Sequence, residues 1–452
     1  NTFLICIPFM LFPFFLILID QILGESILFN LEINVYLSLI LVIIIFPIFF
    51  GLARKNLDLF EPSVLFMLGV FLGFLIPAFL ILNNPDIKGF FQIGYVITQT
   101  NFIMGIKYSL LSFAFFTIGY YSFRGKISYE ERSASTFSKK RFMIIFSILI
   151  IMYLLGKIVS FIVLGDQEVR GLGYEFGFGI FQPFTDLSIF LLITWLVFFV
   201  FTKQIKGNLI LTIVMIAVFF SSFSITSRGG VLAIPLAIFA VINYNYFRLK
   251  LWHGFFLLSM AMIPILAIGL FRYDVENTAI DIYFNFISVA YLATFSGLES
   301  MIIISEQIPE YIDFYNGTLI LGAFILPFFP RIIFTFKPEV YGYNLFWEDY
   351  ISASTQGRSE YFLSLPGHFF ADFGVIGIIT GSFIIGLIYA KIYKIFRIHL
   401  HNKGIICLYA LACVTIFFQT SLVMPTSMVL LRTFLLPTIF IYLIYSKKSF
   451  KL

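Results

Sequence analysis

The chain has 452 residues, of which 60% are hydrophobic and only 12% are charged. A soluble domain does not need repeated apolar runs of about 20 residues, whereas a lipid bilayer does. The composition therefore excludes a soluble globular protein and indicates an integral membrane protein. The formal net charge is +5, and the three cysteines lie in apolar runs without metal-ligand spacing, so neither a disulfide framework nor a zinc site is predicted.

Runs of apolar residues predict an all-α, polytopic chain with about twelve membrane-spanning helices and no soluble domain. Residues 1–452 are thus expected to form one multi-spanning domain. The first run has no charged segment before it and no cleavage-site pattern, so we expect it to be a retained span. The predicted spans are Thr2–Ile19, Ile33–Ala53, Ser63–Leu82, Asn101–Phe123, Phe142–Leu164, Ile180–Thr202, Asn208–Ser224, Gly230–Phe247, Gly254–Phe271, Gly367–Tyr393, Ile405–Val423 and Val429–Tyr445.

Lysine and arginine residues set the orientation, because the cytoplasmic loops of membrane proteins are enriched in them. Most of the 29 basic residues fall in alternate connections, which include Arg54, Arg124, Lys250 and Arg397, and in the C-terminal tail. We therefore expect these connections and both termini to be cytoplasmic. The first outer loop, Asp20–Glu32, agrees with this orientation because it carries three acidic residues and no basic one.

The longest connection, Arg272–Pro366, is predicted to be extracytoplasmic. It contains two apolar stretches, Tyr283–Ile304 and Gly317–Phe336. The segment between them, Ser305–Asn316, carries three acidic residues and no basic one, which argues against a cytoplasmic location. We therefore prefer re-entrant or surface-lying helices that roof the outer face over two further membrane crossings.

Several arginines oppose this charge rule, because they lie on the outer side or at outer ends of predicted spans. Their guanidinium groups suit bidentate contact with phosphate, although each can instead pair with a carboxylate or a lipid headgroup. For Arg228, Arg272 and Arg358 we favour a functional role. Arg170 lies in the outer loop Gly165–Gly179, whose aromatic and acidic residues suit sugar binding but are also typical of an ordinary loop.

Arg228 has the strongest local pattern of these arginines. The hydroxyl-rich segment Ser221–Ser227 ends one predicted span, and Arg228, Gly229 and Gly230 open the next with almost no loop between. A glycine turn at a helix start exposes backbone N–H groups and can bind an anion. The same pair of glycines is also used in tight turns for geometry alone.

The segment Gln356–Gly386 holds the most interpretable chemistry of the chain. Ser364 and Pro366 are typical of a helix start. His368 and Asp372 then lie four residues apart on one helix face, so that the carboxylate can hold one imidazole nitrogen and leave the other as a base. The positive helix N-terminus favours the neutral imidazole. Alternatively, both side chains are simply solvated at a membrane surface.

Together these features resemble a known family. The Ser-Arg-Gly-Gly motif at Arg228, the large late outer loop and the Pro-Gly-His-x-x-x-Asp-x-Gly-x-x-Gly motif at His368 resemble the Wzy-type oligosaccharide repeat unit polymerases of bacterial surface glycan assembly, relatives of the O-antigen ligases. The resemblance covers most of the chain by topology, through short motifs. It implies a metal-independent, cofactor-free glycosyltransferase of the multi-spanning GT-C-like class, located in the bacterial inner membrane with a periplasmic active site.

The resemblance also implies substrates and residue roles. Undecaprenyl diphosphate-linked oligosaccharides would be both the donor and the acceptor. Membrane lipids and a chain-length regulator would be partners, and nucleic acid would not be a partner. The product would be an O-antigen of lipopolysaccharide or another surface polysaccharide. The diphosphate-binding residues would be Arg228, Gly229, Gly230, Arg170, Arg272 and Arg358. Arginines that face the departing diphosphate stabilise its developing charge, and the ligase-type histidine would correspond to His368.

The acceptor sugar hydroxyl needs a general base, and four residues are candidates. Glu360, His368 and Asp372 lie in one short segment. Glu299 is the fourth, because an apolar stretch makes a carboxylate more basic. The sequence leaves the choice among these four open.

Three other functions compete with polymerisation. An O-antigen ligase would perform the same chemistry with a lipid A-linked acceptor. A lipid-linked oligosaccharide flippase or other transporter is expected to place charges near the midplane of several spans and to have broken, repeated helices. Only Lys107, Lys157, Asp186 and Arg432 come near mid-span, so a reaction at the outer face is favoured. A structural protein without a substrate leaves the outer arginines unexplained.

Cysteines introduced singly at Ser305, Asn316 and Thr355 test the orientation. All three should react with a membrane-impermeant thiol reagent in intact spheroplasts, because the basic residues place the Arg272–Pro366 connection outside the cytoplasm. If only the cysteines at Ser305 and Asn316 fail to react, the result supports two further membrane crossings. Failure at all three would overturn the orientation.

Overall fold

The computed structural model describes residues 32–53, 57–83, 98–124, 137–164, 187–201, 209–222, 228–250, 253–254, 297–326, 343–351, 363–421 and 427–445. Within these ranges the chain is helical and contains no β-strand. The helical fold class predicted from the apolar runs is therefore confirmed for the described part of the chain.

The helix bounds follow the apolar runs of the sequence. The helices are α1 (Glu32–Ala53), α2 (Pro62–Val70), α3 (Ile76–Asn83), α4 (Gln99–Phe123), α5 (Lys139–Leu164), α6 (Ser188–Trp195), α7 (Leu209–Ser222), α8 (Arg228–Asn245), α9 (Gly297–Gln307), α10 (Thr318–Phe324), α11 (Tyr343–Ile351), α12 (Leu365–Ile398), α13 (Lys403–Ser421) and α14 (Ser427–Ile444). The π-helical segments Phe71–Leu75 and Leu196–Phe201 continue α2 and α6.

In the described part of the chain, four helical stretches are long and apolar enough to cross a membrane, and each coincides with a predicted span. They are Pro62–Ile81, Thr100–Phe123, Lys139–Val159 and Leu365–Ile398. Six shorter apolar helices overlap six other predicted spans. Thr2–Ile19 lies outside the described residues, as does Gly254–Phe271 apart from its first residue. The helices are those of a membrane protein by length and composition, and the total of twelve spans stays a prediction.

The bundle is built around α4, which α12 accompanies along most of its length and which α1 and α9 also contact. Two glycines bring the backbones of α4 and α12 together. A Cβ at Gly119 would lie 2.3 Å from the Phe383 carbonyl oxygen, and one at Gly386 would lie 2.3 Å from that of Phe116. Between membrane helices, close backbone approach at small residues replaces the hydrophobic driving force found in water.

α12 is two helical arms and not one straight helix. Gly374 has φ 62° and ψ −147°, a conformation available to glycine but not to residues with a Cβ. A Cβ at Gly377 would lie 2.2 Å from the Phe369 carbonyl oxygen, although residues eight apart in a straight helix are separated by about 12 Å. Residues 365–373, the short arm, therefore fold back along residues 375–398, the long arm. The predicted span Gly367–Tyr393 needs this correction, since its first residues belong to the short arm.

The basic residues predict that several loops lie on the same side of the membrane. In the structure, these loops meet at one end of the bundle. Arg124, after α4, pairs with Glu61, and Arg397, at the end of α12, pairs with Asp58. The backbone N–H of Ser138, before α5, donates to the carbonyl of Ile444 in α14. We call this the Asp58 end. Its assignment to the cytoplasmic side stays a prediction.

The close contact between α4 and α12 makes a test of packing. Gly386→Ala should lower the free energy of unfolding by about 1–3 kcal/mol, because the new methyl group must displace the α4 backbone. Helix propensity alone would act in the opposite direction, by about 1 kcal/mol. The measurement is thermal unfolding of the purified protein in detergent.

Gly254→Ala is the matched control, since a Cβ there would meet only one side-chain carbon, of Leu59, at 3.4 Å. It should leave the unfolding temperature unchanged. Equal behaviour of the two variants would contradict the packing described for α4 and α12.

Candidate functional site

Two short helices begin side by side in the structure. The backbone N–H of Ser364, at the start of the short arm, donates to Ser300 Oγ in α9 at 3.2 Å. Ser300 Oγ in turn donates to the carbonyl of Gly297 at 3.0 Å. One turn further on, a Cβ at Gly367 would lie 2.7 Å from Ile304 Cδ1. α9 and the short arm therefore run parallel from a shared start, and we call them the paired half-helices.

This shared start lies inside the helix bundle. α9 is buried from Gly297 to Ile304, and a Cβ at Gly105 of α4 would lie 2.6 Å from Ile302. Ser364 is buried as well, with 1% of its surface exposed. α9 is therefore enclosed by protein, and the choice between a re-entrant and a surface-lying helix stays a prediction.

The positive ends of both half-helices face this interior position. The first-turn N–H groups of a helix carry partial positive charge and lack intrahelical acceptors. Ser364 satisfies one of them by accepting from the N–H of Gly367 at 3.3 Å, which confirms the predicted helix start. A pair of parallel helix N-termini inside an apolar bundle can hold an anionic group.

Two predicted base candidates lie at this start. Glu299 precedes Ser300 in α9, and His368 follows Ser364 by one turn in the short arm. Glu299 is 2% exposed and His368 is fully buried. Ionisable side chains are costly to bury in a membrane bundle, so we treat these two as candidates for a functional site. The sequence offered these residues as separate candidates, and the Ser300–Ser364 hydrogen bond joins their helices.

Asp372 has a role different from the one predicted. Its Oδ1 accepts from the N–H groups of Gly317 and Leu319 at 3.1 and 3.0 Å, and its Oδ2 accepts from that of Ile320 at 2.8 Å. These three bonds hold the start of α10 by the same charge-to-dipole interaction as a helix cap. The predicted hydrogen bond from Asp372 to the His368 imidazole is therefore not formed. We assign Asp372 to anchoring α10 and no longer to proton transfer.

The other predicted residues are only partly described. Four lie outside the described ranges: Arg170, Arg272, Arg358 and Glu360. Arg228, Gly229 and Gly230 form the first turn of α8, which confirms the predicted helix start for the backbone. α8 reaches the Asp58 end with Asn243, fifteen residues after Arg228, so Arg228 lies roughly 23 Å from that contact.

Sequence reasoning missed a second polar cluster. Asp58 and Glu61 lie between α1 and α2, in residues 57–61, which we call the Asp58 loop. Both are buried, with 6% and 3% of their surface exposed, and both are paired with arginines. The available signal was two acidic residues in a connection assigned to the basic side. Among the described residues no His, Cys, Asp and Glu side chains are grouped so that they could hold a metal ion.

Comparison with known proteins gives no relative for this chain. No protein-family model, no curated protein and no solved structure matches it. The interpretation of the paired half-helices therefore rests on their own geometry and chemistry.

Replacement of Asp372 distinguishes its two roles. Asp372→Ala removes three hydrogen bonds to a charged acceptor, each worth about 1.5–3 kcal/mol, so it should destabilise the protein and speed amide hydrogen exchange in residues 317–324. The exposed Asp313→Ala is the control and should change stability by less than about 0.5 kcal/mol. If Asp372→Ala abolishes activity but leaves amide hydrogen exchange in residues 317–324 unchanged, Asp372 acts as a general base and not as an anchor.

Proposed function

We propose that this protein is a glycosyltransferase that polymerises undecaprenyl diphosphate-linked oligosaccharide repeat units into a surface polysaccharide on the extracytoplasmic face. One observation carries the proposal. The paired half-helices start together inside the bundle, and the buried Glu299 and His368 lie within about a turn of that start. This place combines a positive field for a diphosphate with groups that can accept a proton.

The proposed reaction follows from these two properties. The acceptor hydroxyl oxygen attacks the anomeric carbon of the donor sugar and forms the new glycosidic bond. The bond from that carbon to the diphosphate breaks, and the electron pair leaves with the diphosphate. The helix N-termini stabilise the negative charge that develops, and Glu299 or His368 takes the hydroxyl proton.

Arg228 is proposed as a further diphosphate ligand, together with Arg170, Arg272 and Arg358. Its place at the start of α8, remote from the Asp58 end, supports a role on the extracytoplasmic side if the Asp58 end is cytoplasmic. An O-antigen ligase would use the same donor chemistry with a different acceptor. It is therefore the neighbouring alternative within the same reaction class.

A lipid-linked oligosaccharide transporter is the second candidate, because one observation favours it. The paired half-helices are broken membrane helices with N-termini inside the bundle, a feature that many transporters use to bind anionic substrates. In the described residues, however, the ion pairs of Asp58 with Arg397 and of Glu61 with Arg124 both lie at the Asp58 end. We therefore rank the transferase first.

Glu299→Gln and His368→Gln test the proposed site. Each keeps a polar side chain and removes a base, so at least one should lower polymerisation by about 10²–10⁴-fold. The measurement is the glycan ladder of a polymerase-null strain that carries each variant at matched protein level.

Glu306→Gln, further along α9 and partly exposed, is the matched control and should keep a full ladder. Full ladders from both Glu299→Gln and His368→Gln would refute the placement of the reaction at the paired half-helices. Glycan missing from the lipid core altogether would favour the ligase, since a polymerase defect still leaves single units on the core.

A further inference from the structure

The Asp58 carboxylate joins two helices at its end of the bundle. Its Oδ1 accepts from the amide of Asn243 at 3.2 Å, and its Oδ2 accepts from the hydroxyl of Tyr244 at 2.7 Å, both in α8. The same Oδ2 accepts from the hydroxyl of Tyr393 at 2.9 Å and from Arg397 Nη1 at 3.4 Å, both in α12. One buried carboxylate therefore holds α8 and α12 to the Asp58 loop.

The rest of the Asp58 loop binds two more helices. Glu61 accepts from the hydroxyl of Tyr120 at 3.0 Å and from Arg124 Nη2 at 2.8 Å, at the end of α4. The carbonyl of Phe60 accepts from the hydroxyl of Tyr409 in α13 at 2.6 Å. Burial by itself lowers the pKa of Arg124, but the Glu61 carboxylate and Tyr120 raise it above its ordinary value, so the guanidinium stays charged.

Aromatic rings fill the space around these polar contacts. Phe396 of α12 stacks on Tyr409 of α13 with ring centroids 3.7 Å apart, and Tyr244 of α8 meets Phe396 edge-on at 4.7 Å. The side chains of Asp58, Glu61 and Arg397 are at most 7% exposed. Water thus has little access between the four helices at this end.

The contacts are shared in a way that resists partial opening. Each carboxylate serves several donors, so the separation of α4, α8 or α12 leaves a buried charge short of its partners, which is strongly unfavourable. The separation of α13 breaks the hydrogen bond from Tyr409 to the Phe60 carbonyl. All four helices are held by one loop of five residues. To open this end, α4, α8, α12 and α13 would have to leave the loop together.

We propose that the Asp58 loop is a permanent plug that closes this end of the bundle, so that the protein admits its substrate from the opposite end only. A transporter must open both ends in turn, whereas an enzyme that works at one membrane face needs only one opening. The plug is a property of the fold and does not depend on which reaction takes place at the other end.

Cys413 is a natural reporter for this plug. Its sulfur is fully buried and lies 3.9 Å from the Phe60 carbonyl oxygen. α13 starts at the Asp58 end with Lys403, so Cys413, ten residues along, lies on the inner side of the Asp58 loop. A water-soluble reagent that enters from the Asp58 end must therefore pass the loop to reach this thiol.

The experiment treats the full chain in membrane vesicles with a small, charged methanethiosulfonate and reads modification of Cys413 by peptide mass spectrometry. A cysteine at the exposed Lys394, near the Asp58 end in α12, reports when that end faces the reagent. Cys413 should stay unmodified while the Lys394→Cys reporter reacts completely, also in membranes that are producing lipid-linked glycan. Modification of Cys413 in step with the reporter would overturn the plug and favour a transporter.

Asp58→Asn then tests the cause of the closure. It keeps the side-chain shape and removes the charge that four side chains share, so Cys413 should react at least about tenfold faster. Asp313→Asn, an exposed carboxylate near α10, is the matched control and should leave Cys413 protected. Continued protection in Asp58→Asn would show that Asp58 does not hold the plug. The unaltered chain tests the closure even if this variant fails to fold, and the glycan ladder measures polymerisation separately.

Discussion

The reversal of the chain at Gly374 is the constraint on which the rest of the structure depends. Its backbone angles belong to a region that only glycine occupies without strain. The reversal turns what would be one long span into two arms. It thereby places Ser364 and His368 inside the bundle next to α9, and it brings Asp372 to the start of α10. Without it, the long arm could still pack on α4, but the paired half-helices would not exist.

α9 supplies a hydrogen-bond acceptor for the exposed backbone N–H at the start of the short arm. A helix that begins inside an apolar bundle exposes N–H groups that neither water nor lipid can satisfy. Here Ser300 accepts from the N–H of Ser364, and Ser364 Oγ accepts from that of Gly367. Pro366 has no N–H group, and the N–H of His368 donates to the carbonyl of Ser364. What is left for a ligand is the partial positive charge of the helix N-terminus, which favours an anionic group.

The two polar regions of the protein differ in how their ionisable groups are arranged. At the Asp58 end, charged groups are paired and packed among aromatic rings, which is how a protein tolerates charge away from water. At the start of the paired half-helices, Glu299 and His368 lie beside helix N-termini whose positive field suits a ligand. The first arrangement fixes helices in place, and the second places groups that can accept a proton beside helix N-termini. The membrane glycosyltransferase that we propose would need both, because a transition state is stabilised best by groups that are already held in position.

The sequence by itself determined the helical class, the positions of the helices and the loops that share one end, because the bilayer imposes run length and charge bias on each segment independently. It also identified the helix starts at Ser364 and Arg228 from local capping and glycine patterns. Only the tertiary structure separated His368 from Asp372, joined His368 to the helix of Glu299, and gathered four helices on the Asp58 loop. Spacing along one helix cannot reveal a chain reversal, and contacts between residues as distant as Asp58 and Arg397 depend on how all the helices pack together.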